Sequence, residues 1–303
     1  MATETKNYLD PKVLAKVDRL EVRARLVVEG FISGMHKSPY RGVSVEFAQH
    51  REYVPGDDIR FMDWKIFGRT ERFYIKEFEE ETNLRAWLFV DQSESMAYAH
   101  DGGMSKFDYA ATAAASLAFL LQQQSDAVGL TLFADAVVKS VPASNTRAGL
   151  ANLFQSLETA KPDQKTKIGD VLQELATSIR KRGVVMLFSD LFDDSAEVLK
   201  GIRALGQRGH DVIVFHVLDR DEVEFPFERM TMFEGLEQMP ELLADPRALR
   251  DAYLAEIEGF AETVRKGCLA QRADYVRLVD DQPLDVALSS YLAARTARFK
   301  RSR

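Results

Sequence analysis

Two carboxylates and three hydroxyls in the sequence have the types and spacing expected of a metal site. They belong to Asp91, Ser93, Ser95, Thr166 and Asp190, the first three forming a D-x-S-x-S motif. No imidazole or thiolate is among them, and such hard-oxygen ligands are those that bind Mg²⁺ or Mn²⁺. The sequence therefore predicts a divalent-cation site, provided that the fold brings these five residues together.

The predicted elements place these residues at one edge of a sheet. Asp91 directly follows the apolar run 84–90, which is typical of a central strand covered on both faces. Asp190 lies just beyond the predicted strand 184–188, and Thr166 lies just before a predicted helix. In open α/β sheets, ligands bind beyond the carboxyl ends of the strands, so we expect all three loops to meet there.

A simpler explanation of part of this pattern is helix capping. Asp, Ser and Thr often cap helix N-termini, and Asp91, Ser93 and Thr166 have suitable positions for that role. Farther along the chain, Asp194 or Ser195 is expected to cap the next helix. Capping alone does not account for this oxygen set on one sheet edge, so the metal site is the favoured interpretation.

The rest of the chain after residue 83 alternates between strand and helix patterns. This alternation predicts an α/β fold with a doubly wound, mostly parallel sheet and helices on both faces. The predicted strands 128–133 and 136–141 are too close for a parallel crossover, so we expect an antiparallel hairpin at the sheet edge. Helices are predicted at residues 106–124, 147–158, 168–181, 195–207, 246–271 and 284–299, and further strands at 212–218 and 275–278.

Three regions are expected along the chain. Residues 1–30 carry one amphipathic helix, predicted over 11–29 and beginning with the N-cap pair Asp10-Pro11. Residues 31–82 form a small β-rich subdomain, with strand-like alternation near residues 43–47 and 73–75. Residues 83–303 form the α/β domain, with an irregular insertion at about 219–245.

Composition limits the classes of partner and compartment. The 303 residues include 47 acidic and 40 basic ones, so the net charge of −7 gives no overall basic field for nucleic acid. The lone Cys268 cannot form an internal disulfide, which fits a reducing compartment. The N-terminus lacks the apolar stretch of a signal peptide, and the apolar run 110–121 is shorter than the about 20 residues of a membrane span. We expect a cytoplasmic protein without a membrane span of its own.

Common enzyme motifs are absent from the sequence. It has no phosphate-binding G-x-x-x-x-G-K-[ST] loop, no G-x-G-x-x-G after a strand and no G-x-S-x-G elbow. Ser93 and His100 share one short segment without an evident orienting acid, and His210 and His216 are expected to be ordinary packing or surface residues. The alternatives to a binding protein are a metal-assisted phosphoester hydrolase and a structural subunit with an empty metal site.

The five oxygen-bearing residues resemble the metal-ion-dependent adhesion site of von Willebrand factor A domains. In that family the two serines and the threonine supply hydroxyl ligands, which the resemblance assigns here to Ser93, Ser95 and Thr166. It assigns Asp91 and Asp190 a direct or water-mediated contact with the ion. It also implies that an Asp or Glu of a partner protein completes the coordination of Mg²⁺ or Mn²⁺.

A second resemblance extends over residues 20–297. The motifs that carry it are residues 51–60, 63–64, 69–70, 76–81, 233–235 and 291–295. They are similar to the domain-of-unknown-function fifty-eight family of bacteria, whose members carry a von Willebrand A-like domain. Because such proteins are typically encoded beside MoxR-type AAA+ ATPases, the resemblance implies a chaperone adaptor that binds a MoxR-like ATPase, a client protein, or both.

The segment that begins this second resemblance has two interpretations. Its charged residues are expected to form local ion pairs that lock the turn at Pro55-Gly56, with Trp64 packed inward. The alternative is a surface for docking a partner protein. The residues concerned are Arg51, Tyr53, Asp57, Asp58, Arg60, Asp63 and Trp64.

Overall fold

The structure is a computed structural model that describes residues 11–17, 19–35, 49–54, 62, 64–70, 72–77, 84–163, 165, 167–233, 242–285 and 288. The chain divides into two compact units. The larger comprises residues 1–37 and 84–303, and the smaller comprises residues 38–83. Within the described ranges, none of the helices combines the length and the apolar composition needed to cross a membrane.

Strands and helices are numbered separately in chain order. The strands are β1 (Gln49–Glu52), β2 (Tyr74–Glu77), β3 (Arg85–Asp91), β4 (Ala127–Phe133), β5 (Val137–Ser144), β6 (Val184–Ser189), β7 (Asp211–Leu218), β8 (Thr231–Phe233), β9 (Leu242–Ala244) and β10 (Asp274–Val279). The helices are α1 (Pro11–Leu14), α2 (Leu20–Met35), α3 (Trp64–Thr70), α4 (Lys106–Gln123), α5 (Arg147–Glu158), α6 (Ile168–Ser178), α7 (Ser195–Gln207), α8 (Arg220–Glu224) and α9 (Pro246–Ala270). A 3₁₀ turn spans Glu94–Ala97.

The larger unit is built on a six-stranded sheet with the order β10-β7-β6-β3-β4-β5. Neighbouring strands are parallel except for β4 and β5, which pair antiparallel at the edge. The predicted α/β class and edge hairpin are therefore confirmed. From β3 the chain runs outward to β5 and then returns to β6 on the other side of β3, so the strand order reverses between β3 and β6. Ligands of doubly wound sheets bind at this kind of reversal.

Both faces of the sheet are covered by helices, which explains the nearly continuous apolar sequences of its central strands. Side chains of a strand alternate between faces, so Leu88 and Val90 of β3 enter one core whereas Phe89 enters the other. The first core also contains α4, α5 and part of α2, and the second contains α6, α7 and part of α9. The two cores hold the strand ends rigidly in place.

The N-terminal helix differs from its prediction. The expected single helix is two helices, α1 and α2, separated by residues 15–19. Leu14 and Leu20 are both fully buried, yet six residues of continuous helix would place them about 240° apart around the axis. The break lets both leucines face the core, and the Leu20 amide then donates to Glu158 Oε1 at 2.8 Å. Sequence periodicity alone did not reveal this tertiary requirement.

The smaller unit contains the antiparallel pair β1–β2, with α3 between these strands in the sequence. Phe67 of α3 stacks on Phe73 with ring centroids 4.5 Å apart. Trp64 contacts Phe67 by its edge and is 62% exposed, so the prediction that Trp64 packs inward is wrong. In this short helix Phe67 takes the packing position against Phe73, which leaves Trp64 outside. The predicted strand near residues 43–47 lies outside the described residues.

The insertion predicted as irregular contains regular structure where the structure describes it. It begins with α8 and continues to the antiparallel pair β8–β9. Phe225, which is buried, packs against the rings of Phe227, Phe233 and Tyr253. This aromatic packing provides the apolar contacts that a short hairpin lacks by itself. Residues 284, 285 and 288 of the last predicted helix are helical, and its remaining residues are not among those described.

Candidate metal site

The D-x-S-x-S motif forms a compact loop at the carboxyl end of β3. Asp91 is the last residue of the strand, and its Oδ1 accepts a hydrogen bond from the Ser93 amide at 2.9 Å. The hydroxyls of Ser93 and Ser95 are 3.1 Å apart. All three side chains are buried. Although Ser93 precedes the 3₁₀ turn, its side chain makes no capping hydrogen bond, so capping does not explain its position.

Asp190 joins this loop from the neighbouring strand β6. It is the residue after Ser189, whose hydroxyl donates to Asp91 Oδ2 at 2.6 Å. Asp190 Oδ1 accepts from the Phe192 amide at 3.2 Å, and the Asp190 carboxylate also accepts a hydrogen bond from Ser95. The structure thus brings together four of the five predicted ligands at the reversal of strand order. Thr166, the fifth, lies outside the described residues.

A buried lysine adds a positive charge that the sequence analysis did not anticipate. Lys106, the first residue of α4, is 1% exposed. Its Nζ donates to Asp190 Oδ2 at 2.8 Å and to Glu222 Oε1 at 2.7 Å. A lysine is disfavoured at a helix N-terminus because the helix dipole is positive there. A lysine at the predicted start of a helix is therefore a feature of the sequence that could have indicated an anionic partner for Lys106.

The two aspartates consequently differ in electrostatic state. Burial and the nearby charge of Asp190 raise the pKa of Asp91 to about 7. Burial favours a raised pKa for Asp190 as well, but the charge of Lys106 and the hydrogen bonds that the carboxylate accepts together lower the pKa of Asp190 below its usual value. Asp91 is hydrogen-bonded, but none of the described residues provides it with such a cation. A divalent ion would supply the missing positive charge next to the two serine hydroxyls, so these residues fit Mg²⁺ or Mn²⁺.

The comparisons with known proteins agree with the sequence motifs. Residues 49–260 match the family model described as "Protein of unknown function DUF58". The chain belongs to this family. It is also similar to the Uncharacterized proteins Rv1480 of Mycobacterium tuberculosis and Mb1516 of Mycobacterium bovis, each 30% identical over 284 residues. These matches cover 89% of the chain and 88% of each relative.

Solved structures similar to the DUF58 protein include BatB of Bacteroides thetaiotaomicron and the VWA domain of SpRpn10. BatB is 17% identical with a TM-score of 0.48, and the match covers 71% of this chain and 99% of BatB. The SpRpn10 domain is 10% identical with a TM-score of 0.39, and the match covers 68% and 94%, respectively. The strand order itself, with its antiparallel edge, carries the assignment of the DUF58 protein to a von Willebrand factor A-like fold.

The structure of the DUF58 protein describes three of the seven residues proposed for partner docking. Arg51 lies in β1, opposite Ile75 of β2, and Tyr53 contacts the ring of Phe73 at 6.3 Å between centroids. Trp64 is the most exposed aromatic side chain of this segment within the described ranges. The remaining four, Asp57, Asp58, Arg60 and Asp63, lie outside the described residues.

Several other polar residues of the larger unit have clear structural roles. Asp194 caps α7 by accepting from the Ala196 amide at 2.8 Å, as predicted. His216 is buried, and its Nδ1 lies 2.6 Å from the Tyr275 hydroxyl. Burial lowers the pKa of His216 to about 4, so this imidazole is neutral at pH 7. His210 packs against Trp87 by its ring edge. The expectation that both histidines are packing residues is confirmed.

Proposed function

We propose that this DUF58 protein is a non-enzymatic, metal-dependent protein-binding adaptor. The observation that carries the proposal is the buried carboxylate of Asp91, which has no cation among the described residues and lies beside the paired hydroxyls of Ser93 and Ser95. These three residues would hold Mg²⁺ or Mn²⁺. The resemblance to the adhesion site adds Thr166 as a fourth ligand.

Asp190 has a different role in this proposal. One of its oxygens already accepts from Lys106, and its carboxylate accepts from Ser95. We therefore assign Asp190 an indirect contact, in which it orients the Ser95 hydroxyl and reaches the ion through water. The hydroxyl ligands are neutral, so among the three direct ligands only Asp91 offers a full negative charge. This leaves the ion able to bind a carboxylate from another protein.

The absence of a serine–histidine pair supports a binding role over a hydrolytic one. Ser93 and Ser95 hydrogen-bond to each other, and Ser95 also to Asp190. His100 faces other carboxylates, and His216 contacts Tyr275. In the described part of the chain, no histidine makes a hydrogen bond with either serine, so a general base for that nucleophile is lacking.

The partner class comes from the family resemblance. We propose that the adaptor works in the cytoplasm with a MoxR-like AAA+ ATPase in assembling or activating a client complex. The acidic residue that completes the metal site belongs to the ATPase or to the client. The exposed Trp64, together with Arg51 and Tyr53 of the same smaller unit, is a candidate for a second contact.

The metal site is tested by replacing its one uncompensated carboxylate. We expect Asp91→Ala to abolish the binding of Mg²⁺ to the full chain, as measured by isothermal titration calorimetry, while circular dichroism shows an intact fold. Asp194→Ala is the matched control, because Asp194 lies near the same sheet edge but only caps α7. Unchanged Mg²⁺ affinity in Asp91→Ala would contradict the proposal.

The adaptor role is tested by affinity capture from the native cell lysate, with Mg²⁺ or with EDTA. We expect an AAA+ ATPase or a defined client to be recovered by the wild type and by Asp194→Ala only in Mg²⁺. Asp91→Ala should not recover it in either buffer. Recovery of the same partner in EDTA would show that the metal site is not the contact.

A further inference from the structure

Two other aspartates follow strands at the same edge of the sheet. Asp219 comes directly after β7, and Asp280 comes directly after β10. These strands are parallel neighbours in which Leu218 pairs with Val279, so the two aspartates lie side by side. His100, from the loop after the 3₁₀ turn, lies against both. All three side chains are buried, and both carboxylates have no exposed surface.

The three side chains have the spacing of metal ligands. His100 Nδ1 is 3.3 Å from Asp219 Oδ2 and 3.5 Å from Asp280 Oδ2. One ligand atom from each residue lies within 4.8 Å of the other two. Ligands bound to one metal ion at about 2.1 Å are separated by about 3.0–3.5 Å. The cluster therefore needs little rearrangement to surround an ion.

Backbone amides hold both carboxylates in fixed orientations. The amides of His100 and Asp221 donate to Asp219 Oδ2 and Oδ1 at 3.0 and 2.7 Å. The amide of Arg220 donates to Asp280 Oδ1 at 3.0 Å. Asp280 Oδ2, by contrast, is buried without a hydrogen-bond partner and faces His100 Nδ1. Of the four carboxylate oxygens of Asp219 and Asp280, it is the one that accepts no hydrogen bond from a backbone amide.

No lysine or arginine side chain in the described part of the chain forms an ion pair with Asp219 or Asp280. Burying two adjacent carboxylates without a cation is costly. The unpartnered oxygen and the missing cation are separate observations, and both indicate a ligand that carries positive charge.

We propose that His100, Asp219 and Asp280 form a second cation site, which takes Zn²⁺ or Mn²⁺. An imidazole nitrogen beside two carboxylate oxygens favours a transition-metal ion over Mg²⁺ or Ca²⁺. His100 and Asp280 also line a cavity of about 230 Å³, together with Lys12, Arg220 and Asp281, and this cavity leaves room for water as an additional ligand. The bound ion joins the ends of β7 and β10 to the loop that follows the Asp91 motif.

Gly103 is the positioning residue for the imidazole. A Cβ atom at this position would overlap the His100 ring, so even alanine would displace the ring from the two aspartates. The proposed site does not depend on the Asp91 site, since the two share no ligand. Each can therefore be lost without the other.

The test is calorimetric titration of the metal-free full chain with ZnCl₂ and MnCl₂, combined with thermal unfolding in the presence and absence of each ion. We expect one equivalent of Zn²⁺ to bind the wild type and raise its melting temperature. Two equivalents of Mn²⁺ are expected, because the Asp91 site also holds that ion. His100→Gln and Asp280→Asn should each weaken the Zn²⁺ binding at least about 100-fold, since loss of an outer-shell partner alone costs about 10–100-fold. Asp280→Asn is nearly isosteric, so it keeps the test valid if His100→Gln fails to fold.

Two controls separate this site from other metal-binding groups. His210→Gln removes another buried histidine, and Asp91→Ala removes the charged ligand of the other candidate site; both should retain the Zn²⁺ affinity of the wild type. Equal Zn²⁺ affinity in the wild type, His100→Gln and Asp280→Asn would overturn the proposal. Failure of the folded wild type to bind either ion would overturn it as well.

Discussion

Two pairs of buried aspartates lie at the same edge of one sheet, yet their charges are balanced differently. The first pair, Asp91 and Asp190, follows β3 and β6, and Lys106 reaches Asp190 from the start of α4. The second pair, Asp219 and Asp280, contacts the imidazole of His100, and among the described residues it forms no ion pair with a lysine or an arginine. One pair is therefore partly balanced by the chain's own ammonium, whereas the other has no permanent positive charge from the described residues.

This difference shows that one fold can give two similar pairs of buried aspartates different charge states. An internal lysine favours the ionised form of one carboxylate, and in the proposed site it leaves the other carboxylate to contact the ion. Without a lysine, a buried pair must share a proton or bind a cation from solution. Burial and the adjacent Asp219 carboxyl group raise the pKa of Asp280 to about 9, in accord with the missing cation.

The largest effect is expected from removing the internal cation. Lys106→Met leaves Asp190 and Glu222 buried without their shared partner, and we expect the free energy of unfolding to fall by about 3–5 kcal/mol. The measurement is urea denaturation in EDTA. Lys200→Met is the matched control, because Lys200 forms an exposed pair with Glu197 and should change stability by less than about 0.5 kcal/mol. Similar stabilities of the two variants would show that Lys106 does not balance the site.

The same substitution in the two pairs should change stability in opposite directions. Asp190→Asn removes a charged partner of Lys106, and we expect it to destabilise the protein by about 2–3 kcal/mol in EDTA at pH 7. Asp280→Asn removes a carboxyl group that is ionised in the unfolded chain but protonated in the folded one at that pH. We expect it to stabilise the metal-free protein by about 1–2 kcal/mol.

The sign of the second effect can be checked with pH. Because the folded pKa of Asp280 is raised, the stability penalty of this group increases as the pH rises from about 4 towards 9. The stability difference between Asp280→Asn and the wild type should therefore widen from pH 5 to pH 8 in urea titrations with EDTA. A constant difference, or destabilisation by both asparagine variants, would mean that the two pairs do not differ in this way.

The smallest effect is expected at the residue that contacts both regions. Glu222 Oε1 accepts from Lys106, and its Oε2 accepts from the Asp219 amide at 2.7 Å. Glu222→Gln keeps one acceptor oxygen and replaces the other by an amide group, so we expect a loss of about 1 kcal/mol in urea denaturation. A loss as large as that of Lys106→Met would show that Glu222, rather than Asp190, is the main partner of the lysine.

Much of the fold and part of the site follow from sequence patterns. The apolar runs that become β3 and β6 and the short connection between β4 and β5 predict the mixed sheet correctly. The strand-end position of Asp91 and Asp190 predicts their proximity. The same rule applied to β7 and β10 predicts that Asp219 and Asp280 are neighbours, so this second pair was accessible from the sequence too.

Other features depend on contacts that no local pattern encodes. The partnership of Lys106 with Asp190 joins residues 84 positions apart, and Glu222 is 116 positions from the same lysine. The break between α1 and α2 arises because both flanking leucines are buried against elements far along the chain. The exposure of Trp64 likewise depends on a tertiary contact, because Phe67 of the same short helix packs against Phe73 and Trp64 does not.

The antiparallel edge strand β5 also protects the sheet against aggregation. An edge strand with free amides and carbonyls can recruit a strand from another molecule. β5 carries Pro142, which has no amide hydrogen, and Lys139, whose charge would be buried by an added strand. The pairing with β4 is irregular next to Pro142, opposite Gly129, whose lack of a side chain leaves space for this bulge. This edge of the sheet is therefore closed to further strands.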